Sequence, residues 1–295
     1  MAKKTAAPLY KKPYVIAEIG GNHKGDFEIA KQMIQVAKAF CEADAVKFQK
    51  RTNKELFTPE EYNAPHPNPD NSYGDTYGAH REFLEFTPAQ HAKLKKYAEG
   101  LGIEYSSSVW DLTSAKQIAV LQPRMIKVGS PSNLRFDMLE YLAKHYNGEI
   151  HIALGMTTRA EEKKIVDFMK KHGRAKDVVL YACTSGYPVP FEDVALLEIV
   201  RLKKTYGNIV KEIGFSGHHN GIAIDNAAYT LGAPIIERHF TLNRTWKGTD
   251  HAASLEPDGM RRLVRDLHAT HTALTHKKKE VLDIEEVQRK KLKRF

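Results

Sequence analysis

Cysteine and tryptophan are scarce in this 295-residue chain, two of each. No apolar run approaches the roughly 20 residues that cross a bilayer. The opening Met1-Ala-Lys-Lys-Thr-Ala-Ala-Pro8 lacks the apolar stretch of a secretion signal. These absences exclude a disulfide-built scaffold and lead us to expect a soluble, cytoplasmic protein without membrane partners. Cys41 and Cys183 sit in apolar surroundings, near a helix end and a strand end, and read as reduced thiols. Cys183 is expected close to the site without acting as a nucleophile.

Acid is missing at the amino end: residues 1–13 carry Lys3, Lys4, Lys11 and Lys12 and no carboxylate. Residues 277–295 carry eight Lys or Arg against Glu280, Asp283, Glu285 and Glu286. The two ends thus hold eight of the nine excess positive charges, and the chain between them is nearly neutral. The basic balance reads as two solvated ends, with RNA binding as the alternative. A hydrophobic content of 42% suffices for one large core. The predicted organisation is one domain over residues 1–276, including the basic N-terminal segment, and a basic tail over 277–295. Val281, Leu282, Ile284 and Val287 make that tail a short amphipathic helix.

Eight short apolar or β-branched runs recur: Tyr14–Ile19, Ala45–Gln49, Ile103–Ser107, Met125–Val128, Ile150–Leu154, Val178–Ala182, Glu212–Ser216 and Pro234–Arg238. Helical patterns separate them, including Phe27–Phe40, Pro88–Glu99, Leu134–His145, Ala160–Lys171, Val194–Lys204 and Ile222–Leu231. Strand-helix alternation predicts a parallel sheet with crossover helices, and eight repeats is the number that closes a (β/α)8 TIM barrel. An open doubly wound sheet is the alternative. Residues 52–86 break the rhythm and are too long and polar for a minimal turn. With Tyr73, Tyr77 and His80 among them, they are expected to form a lid or wall over a substrate.

In a barrel, side chains at the carboxyl ends of the strands converge on one mouth. Here they are Glu18, Lys47, Gln49, Ser106, Ser107, Ser108, Lys127, Ser130, Ser185, Tyr187, Ser216, His218, Glu237 and His239. Lysine inside an apolar strand is costly unless its ammonium meets an anion. Lys47 and Lys127 therefore imply either a phosphate or carboxylate ligand, with Ser107, Ser130 and Ser185 supplying hydroxyls, or structural ion pairs with Glu18 and Glu237. Two runs each end on a histidine, in Gly214-Phe-Ser-Gly-His-His219 and Glu237-Arg-His-Phe240. His218 and His239 are the candidate ligands of one metal, with His219 a neighbour; core histidines bonded to backbone are the alternative. Imidazole with carboxylate and water suits manganese, iron, zinc or magnesium in an open site that polarises a carbonyl.

The segments Ala17-Glu-Ile-Gly-Gly-Asn-His-Lys-Gly-Asp26, Lys47-Phe-Gln49, Thr76-Tyr-Gly78, Lys127-Val-Gly-Ser130, Cys183-Thr-Ser-Gly-Tyr-Pro188, Phe215-Ser-Gly-His218, Glu237-Arg-His-Phe-Thr241 and Thr245-Trp-Lys-Gly-Thr-Asp-His-Ala-Ala-Ser-Leu-Glu-Pro257 give the chain a family likeness. Over roughly residues 13–270 it resembles the sialic acid synthases, which condense phosphoenolpyruvate with an N-acetylmannosamine-type aldose. The resemblance implies that Lys47, Lys127 and Ser130 hold phosphoenolpyruvate, with Ser107, Ser108, Ser185 and Ser216 nearby. It implies His218 and His239 as ligands of a divalent metal, manganese or magnesium, and Gln49, Tyr187 and Asp250 facing the sugar, with Asn22 and Lys24 at the same mouth. The implied reaction joins C3 of phosphoenolpyruvate to the aldehyde carbon, adds water at C2 and expels phosphate; Glu237 is the candidate for handling the water proton.

The pattern departs from the familiar one at Lys24, where bacterial relatives often have an acid, at Gly129-Ser-Pro-Ser132 and at Ala153-Leu-Gly-Met156. Lys24 suggests an acceptor that carries a phosphate. Many relatives continue into an antifreeze-like domain. We expect its contribution to sugar recognition to come from the 52–86 segment, a partner subunit or a separate protein, and a homodimer follows from the resemblance. Two rival readings are another metal-dependent sugar isomerase or hydrolase on the same barrel and a non-catalytic barrel binding RNA through its ends.

Overall fold

In the computed structural model, which describes residues 10–294, eight parallel strands close into a ring in sequence order. They are β1 (Tyr14–Gly20), β2 (Ala45–Lys50), β3 (Glu104–Val109), β4 (Met125–Val128), β5 (Glu149–Ala153), β6 (Val178–Cys183), β7 (Glu212–Gly217) and β8 (Ile235–His239). The seam joins first to last, with Tyr14 opposite Ile235 and Glu18 opposite His239. The expected (β/α)8 barrel is the fold. Lys3 and Lys4 of the basic N-terminal segment lie outside the described residues.

The alternation of side chains along each strand sorts the interior from the helix layer. Val46, Phe48, Ile126 and Val128 face the helices and join the large core cluster. Part of the barrel interior is apolar, with Ile16, Ala45 and Met125 in one small cluster and Ala153, Val179 and Tyr181 in another.

Around the ring lie α1 (Phe27–Ala39), then α2 (Asn53–Leu56), α3 (Pro59–Asn63), α4 (Tyr77–Phe83) and α5 (Pro88–Gly100). They are followed by α6 (Leu112–Ala119), α7 (Phe136–His145), α8 (Arg159–Lys171), α9 (Leu197–Tyr206), α10 (Ala223–Thr230), α11 (Pro257–Ala273) and α12 (Asp283–Leu292). Asp26 starts α1 by accepting from the Glu28 and Ile29 amides, and Thr87 and Thr158 start α5 and α8 in capping boxes with Gln90 and Glu161. On α1 the buried stripe is Ala30, Met33, Ile34 and Ala37; burying Met33 or Ile34 stabilises by about 1.5–3 kcal/mol.

The structure sharpens the sequence reading in three places. Helix α9 begins at Leu197, because Phe191–Asp193 forms a 3-10 turn first. Residues 52–86 are a folded wall carrying α2, α3 and α4 rather than an irregular lid. In that wall α4 crosses α3 so closely that a Cβ on Gly78 would lie 2.4 Å from the Tyr62 ring. The tail does form a helix, α12, with Ile284 and Val287 exposed.

At the floor of the barrel Glu149 accepts from Arg124 at 3.1 Å and His151 at 3.3 Å, and lies 2.9 Å from Lys211. Burial raises its carboxyl, but His151 and Lys211, with Arg124, outweigh burial and bring it down to about 2. A carboxyl depressed on folding contributes stability in full above its unfolded value of 4.5, and that stability is lost as pH falls toward 2. Glu149→Gln should therefore lower stability at pH 6 and leave it nearly unchanged at pH 2. Urea unfolding at both pH values checks this, and an equal difference at both would refute it.

Candidate active site

Strand ends place two lysines and two carboxylates on one level. Lys47 Nζ is ion-paired with Glu18 Oε2, donates to Ser108 Oγ at 2.6 Å and lies 3.6 Å from Glu237 Oε1. Lys127 Nζ donates to Glu237 Oε1 at 2.5 Å and to Ser216 Oγ at 3.3 Å, with the Tyr181 ring 4.4 Å away. Gln49 Nε2 closes the group on Glu18 Oε1 at 2.9 Å. All four charged groups are at most 5% exposed. The two readings of the strand lysines are thus compatible: they are paired with Glu18 and Glu237, and the pairs line a cavity of about 300 Å³.

Burial raises the Glu237 carboxyl, but Lys127 and Lys47 more than offset this and hold it below the ordinary carboxylate range. Its Oε2 is buried with no hydrogen-bond partner among the described residues. Two acids against two ammonium groups leave the layer neutral. An arriving anion would compete with Glu18 and Glu237 for the lysines.

The cavity is also lined by Gln49, Ser108, Ser130, Ser185, Tyr187, Ser216, His218 and His239, which brings most of the sequence-predicted set together. Gly155 is what allows Ser130 and Ser185 to meet: a Cβ there would lie 2.7 Å and 2.4 Å from their hydroxyl oxygens. Cys183 lines the same wall, and burial pushes its thiol up, which fits a passive neighbour rather than a nucleophile. Trp110, Pro131 and Met156 also line it. They were not among the predicted residues, since loop positions after a strand carry no periodic signal.

Five predicted residues stand elsewhere, and one of them, Ser106, donates to the Met125 carbonyl at 3.0 Å. Ser107 is a correction: its register partners are Phe48 and Ile126, so the two-residue period turns it toward the helix layer. Its hydroxyl donates to the Ser108 carbonyl. The Asn22 amide nitrogen is engaged in structure, donating to the Phe240 carbonyl at 2.8 Å and Ser254 Oγ at 2.9 Å. Lys24, in a left-handed turn with φ 56°, places its ammonium 4.2 Å from the Trp246 ring. Asp250 lies outside the cavity lining; burial raises its carboxyl, but His239, Arg81 and Arg51 hold it below the ordinary range.

The imidazoles fit a metal. His218 donates Nδ1–H to the Thr184 carbonyl at 2.9 Å, which leaves the Nε2 lone pair free. Burial, with His239 adding, pushes His218 down to about 3 and keeps it neutral. His239 Nδ1 is buried with no hydrogen-bond partner among the described residues, and the two rings lie 5.5 Å apart. No group of three or more His, Cys, Asp or Glu suited to a metal occurs among the described residues. The pair would thus supply two ligands and leave the remaining positions to water or substrate. His219 is no ligand, because its Nε2 accepts from Arg238 at 2.9 Å.

Known proteins carry the same arrangement of elements. The family model for the NeuB family matches residues 33–279. The chain is 39% identical to human N-acetylneuraminate-9-phosphate synthase over 95% of its own length and 76% of the relative's. It is 32% identical to N,N'-diacetyllegionaminic acid synthase of Campylobacter jejuni, over 90% and 78%. Among solved structures it matches an N-acetylneuraminic acid synthetase from Leptospira borgpetersenii with a TM-score of 0.79 and 27% identity, covering 97% of this chain and 94% of that one. With strand order, site and sequence in agreement, the chain belongs to the NeuB family.

Proposed function

We propose that the protein is a nonulosonic acid synthase, a transferase that joins phosphoenolpyruvate to an N-acetylmannosamine-type aldose and releases phosphate. The observation that carries this reading is the neutral layer of Lys47, Lys127, Glu18 and Glu237 beneath a cavity with two imidazoles. Lys47 and Lys127 exchange their carboxylate partners for the phosphate and carboxylate of phosphoenolpyruvate, and Ser108, Ser130, Ser185 and Ser216 supply hydroxyls around them. Gln49, Tyr187 and Asp250 orient the sugar. A divalent ion, manganese or magnesium, bound by His218 and His239 would supply Lewis-acid stabilisation of the aldehyde oxygen.

The bond from C3 of phosphoenolpyruvate to C1 of the aldose forms as positive charge builds at C2. The aldehyde π pair goes to its oxygen; water adds to C2, Glu237 accepts its proton and passes it to that alkoxide, and the C2–O bond breaks as the C2 hydroxyl becomes the ketone, so that phosphate leaves with the bridging oxygen and the hydroxyl proton. With the lysines drawn toward the substrate, Glu237 loses the cations that depress its carboxyl and becomes a better base. The layer thereby links anion binding to proton transfer.

The test is phosphate release from phosphoenolpyruvate with manganese, offered N-acetylmannosamine, its 6-phosphate or mannose 6-phosphate, in ¹⁸O-labelled water. Release should require an aldose and a divalent ion, and the label should enter the sugar acid and not the phosphate. Label in phosphate, or release without an aldose, would favour a hydrolase. Salt-dependent retention of RNA that is lost on removing residues 277–295, with no turnover, would favour the non-catalytic reading.

A further inference from the structure

A buried column of side chains joins the floor of the barrel to Lys127, and the condensation gives it no part. His151 stands beside Lys127 in the β4–β5 register. Its Nε2 lies 3.3 Å from Glu149 Oε2, and an ionised carboxylate only accepts, so Nε2 carries the proton. Burial, partly offset by Glu149, lowers His151 and keeps it neutral. Nδ1 is then a lone pair, and the Tyr181 hydroxyl donates to it at 2.7 Å. Burial, with Glu237 adding, raises that hydroxyl well above its ordinary value, so it remains a donor.

With the hydroxyl spent on His151, what Tyr181 offers the catalytic layer is its ring. The Lys127 ammonium lies over that ring, 4.4 Å from its centroid, within the range of a cation–π contact. Small residues flank the ring in the register: Ala153 on β5 and Gly214 on β7, where a Cβ would lie 2.8 Å from the ring Cε1. Tyr181 is fully buried, so its face is worth more to a cation than it would be in water. It is also absent from the cavity lining, so an anion that displaces Glu237 from Lys127 leaves the ring in place.

We propose that Tyr181 is a positioning residue for Lys127: its ring keeps the ammonium at the cavity while the ammonium exchanges Glu237 for an entering anion, and His151 with Glu149 keeps the ring in place. The proposal rests on the condensation reading and deepens it. Without a ring face, an ammonium released by Glu237 has Ser216 as its remaining neighbour, and conformers that point away from the cavity gain weight. Only the conformer at the cavity takes the anion, so the apparent affinity falls with the fraction that stays there.

Titration calorimetry of the full chain with phosphoenolpyruvate and with inorganic phosphate tests it. Tyr181→Leu should weaken both by about 10-fold, the order of a desolvated cation–π contact, and Tyr181→Met, which refills the space without a ring face, should do the same. Tyr181→Phe combined with His151→Leu keeps the ring, strands no imidazole and leaves Glu149 with Arg124 and Lys211; it should recover most of the affinity. In turnover the ring-free variants should raise the phosphoenolpyruvate KM about 10-fold and change kcat by less than about 3-fold. Equal losses in the ring-free and the ring-keeping variants would place the effect in the hydroxyl or in packing and overturn the proposal, as would unchanged binding in Tyr181→Leu. Ring-dependent binding with phosphate release that needs no aldose would uphold the role of Tyr181 and sink the condensation reading. Aldose-dependent release with ring-independent binding would do the reverse, and a wild type that binds neither anion would overturn both.

Discussion

Glu237→Gln is expected to lose at least about 100-fold in kcat while its phosphoenolpyruvate KM changes far less, the range removed with a general base. The same substitution leaves Lys47 and Lys127 with Glu18 as their one full counter-charge, all of them buried. Breaking a buried pair from one side costs about 3–5 kcal/mol, because an uncompensated charge stays in a medium that solvates it poorly. At about 2.1 cal/mol/K of unfolding entropy per residue, 295 residues turn 3 kcal/mol into a Tm fall of about 5 °C. An added anion should reverse much of that fall. Inorganic phosphate or phosphoenolpyruvate should raise the Tm of the variant more than that of the wild type, since in the variant only Glu18 and not Glu237 has to be displaced. Equal shifts in both proteins would mean that the lysines do not receive the anion.

Arg238→Met should lose as much stability as Glu237→Gln, for a different reason. Arg238 is 1% exposed and donates to Asp225 Oδ2 at 2.5 Å, the His219 carbonyl at 2.6 Å, the Gly221 carbonyl at 2.8 Å and His219 Nε2 at 2.9 Å. Asp225 is fully buried, so removing the guanidinium strands a carboxylate and two carbonyls at once. The expected cost is about 3–5 kcal/mol, a Tm fall of roughly 5–8 °C. Because the bonds run into the 219–221 turn next to His218, metal affinity should weaken as well. The double variant Arg238→Met with Asp225→Leu should recover stability without recovering metal affinity. If it stays as unstable as the single variant, the loss belongs to packing rather than to the stranded charge.

The barrel was legible because buried parallel strands read as short apolar runs, and eight of them separated by helical patterns leave few other closures. Lys47 and Lys127 stood out for a physical reason: an ammonium in an apolar strand demands an anion. The period of two, applied strictly to Ser106-Ser107-Ser108, separates the outward Ser107 from its neighbours, but three identical residues hide that alternation. Asn22 sits in a turn where a polar side chain serves a backbone carbonyl as readily as a substrate. Arg238 carried no signal of its own in the sequence, because its acceptors are drawn from positions 219 to 225.

The β1–β8 seam, with Glu18 facing His239, has a consequence for how the protein comes into being. The first strand leaves the ribosome long before its partner exists. At about 5–20 residues per second, the 221 positions from Glu18 to His239 amount to about 10–45 s of synthesis. Through that interval β1 presents an unpaired edge with a carboxylate that has no imidazole across from it. Catalytic competence therefore arrives late and all at once, when the last strand docks, and the nascent chain has to be kept from pairing that edge with another copy.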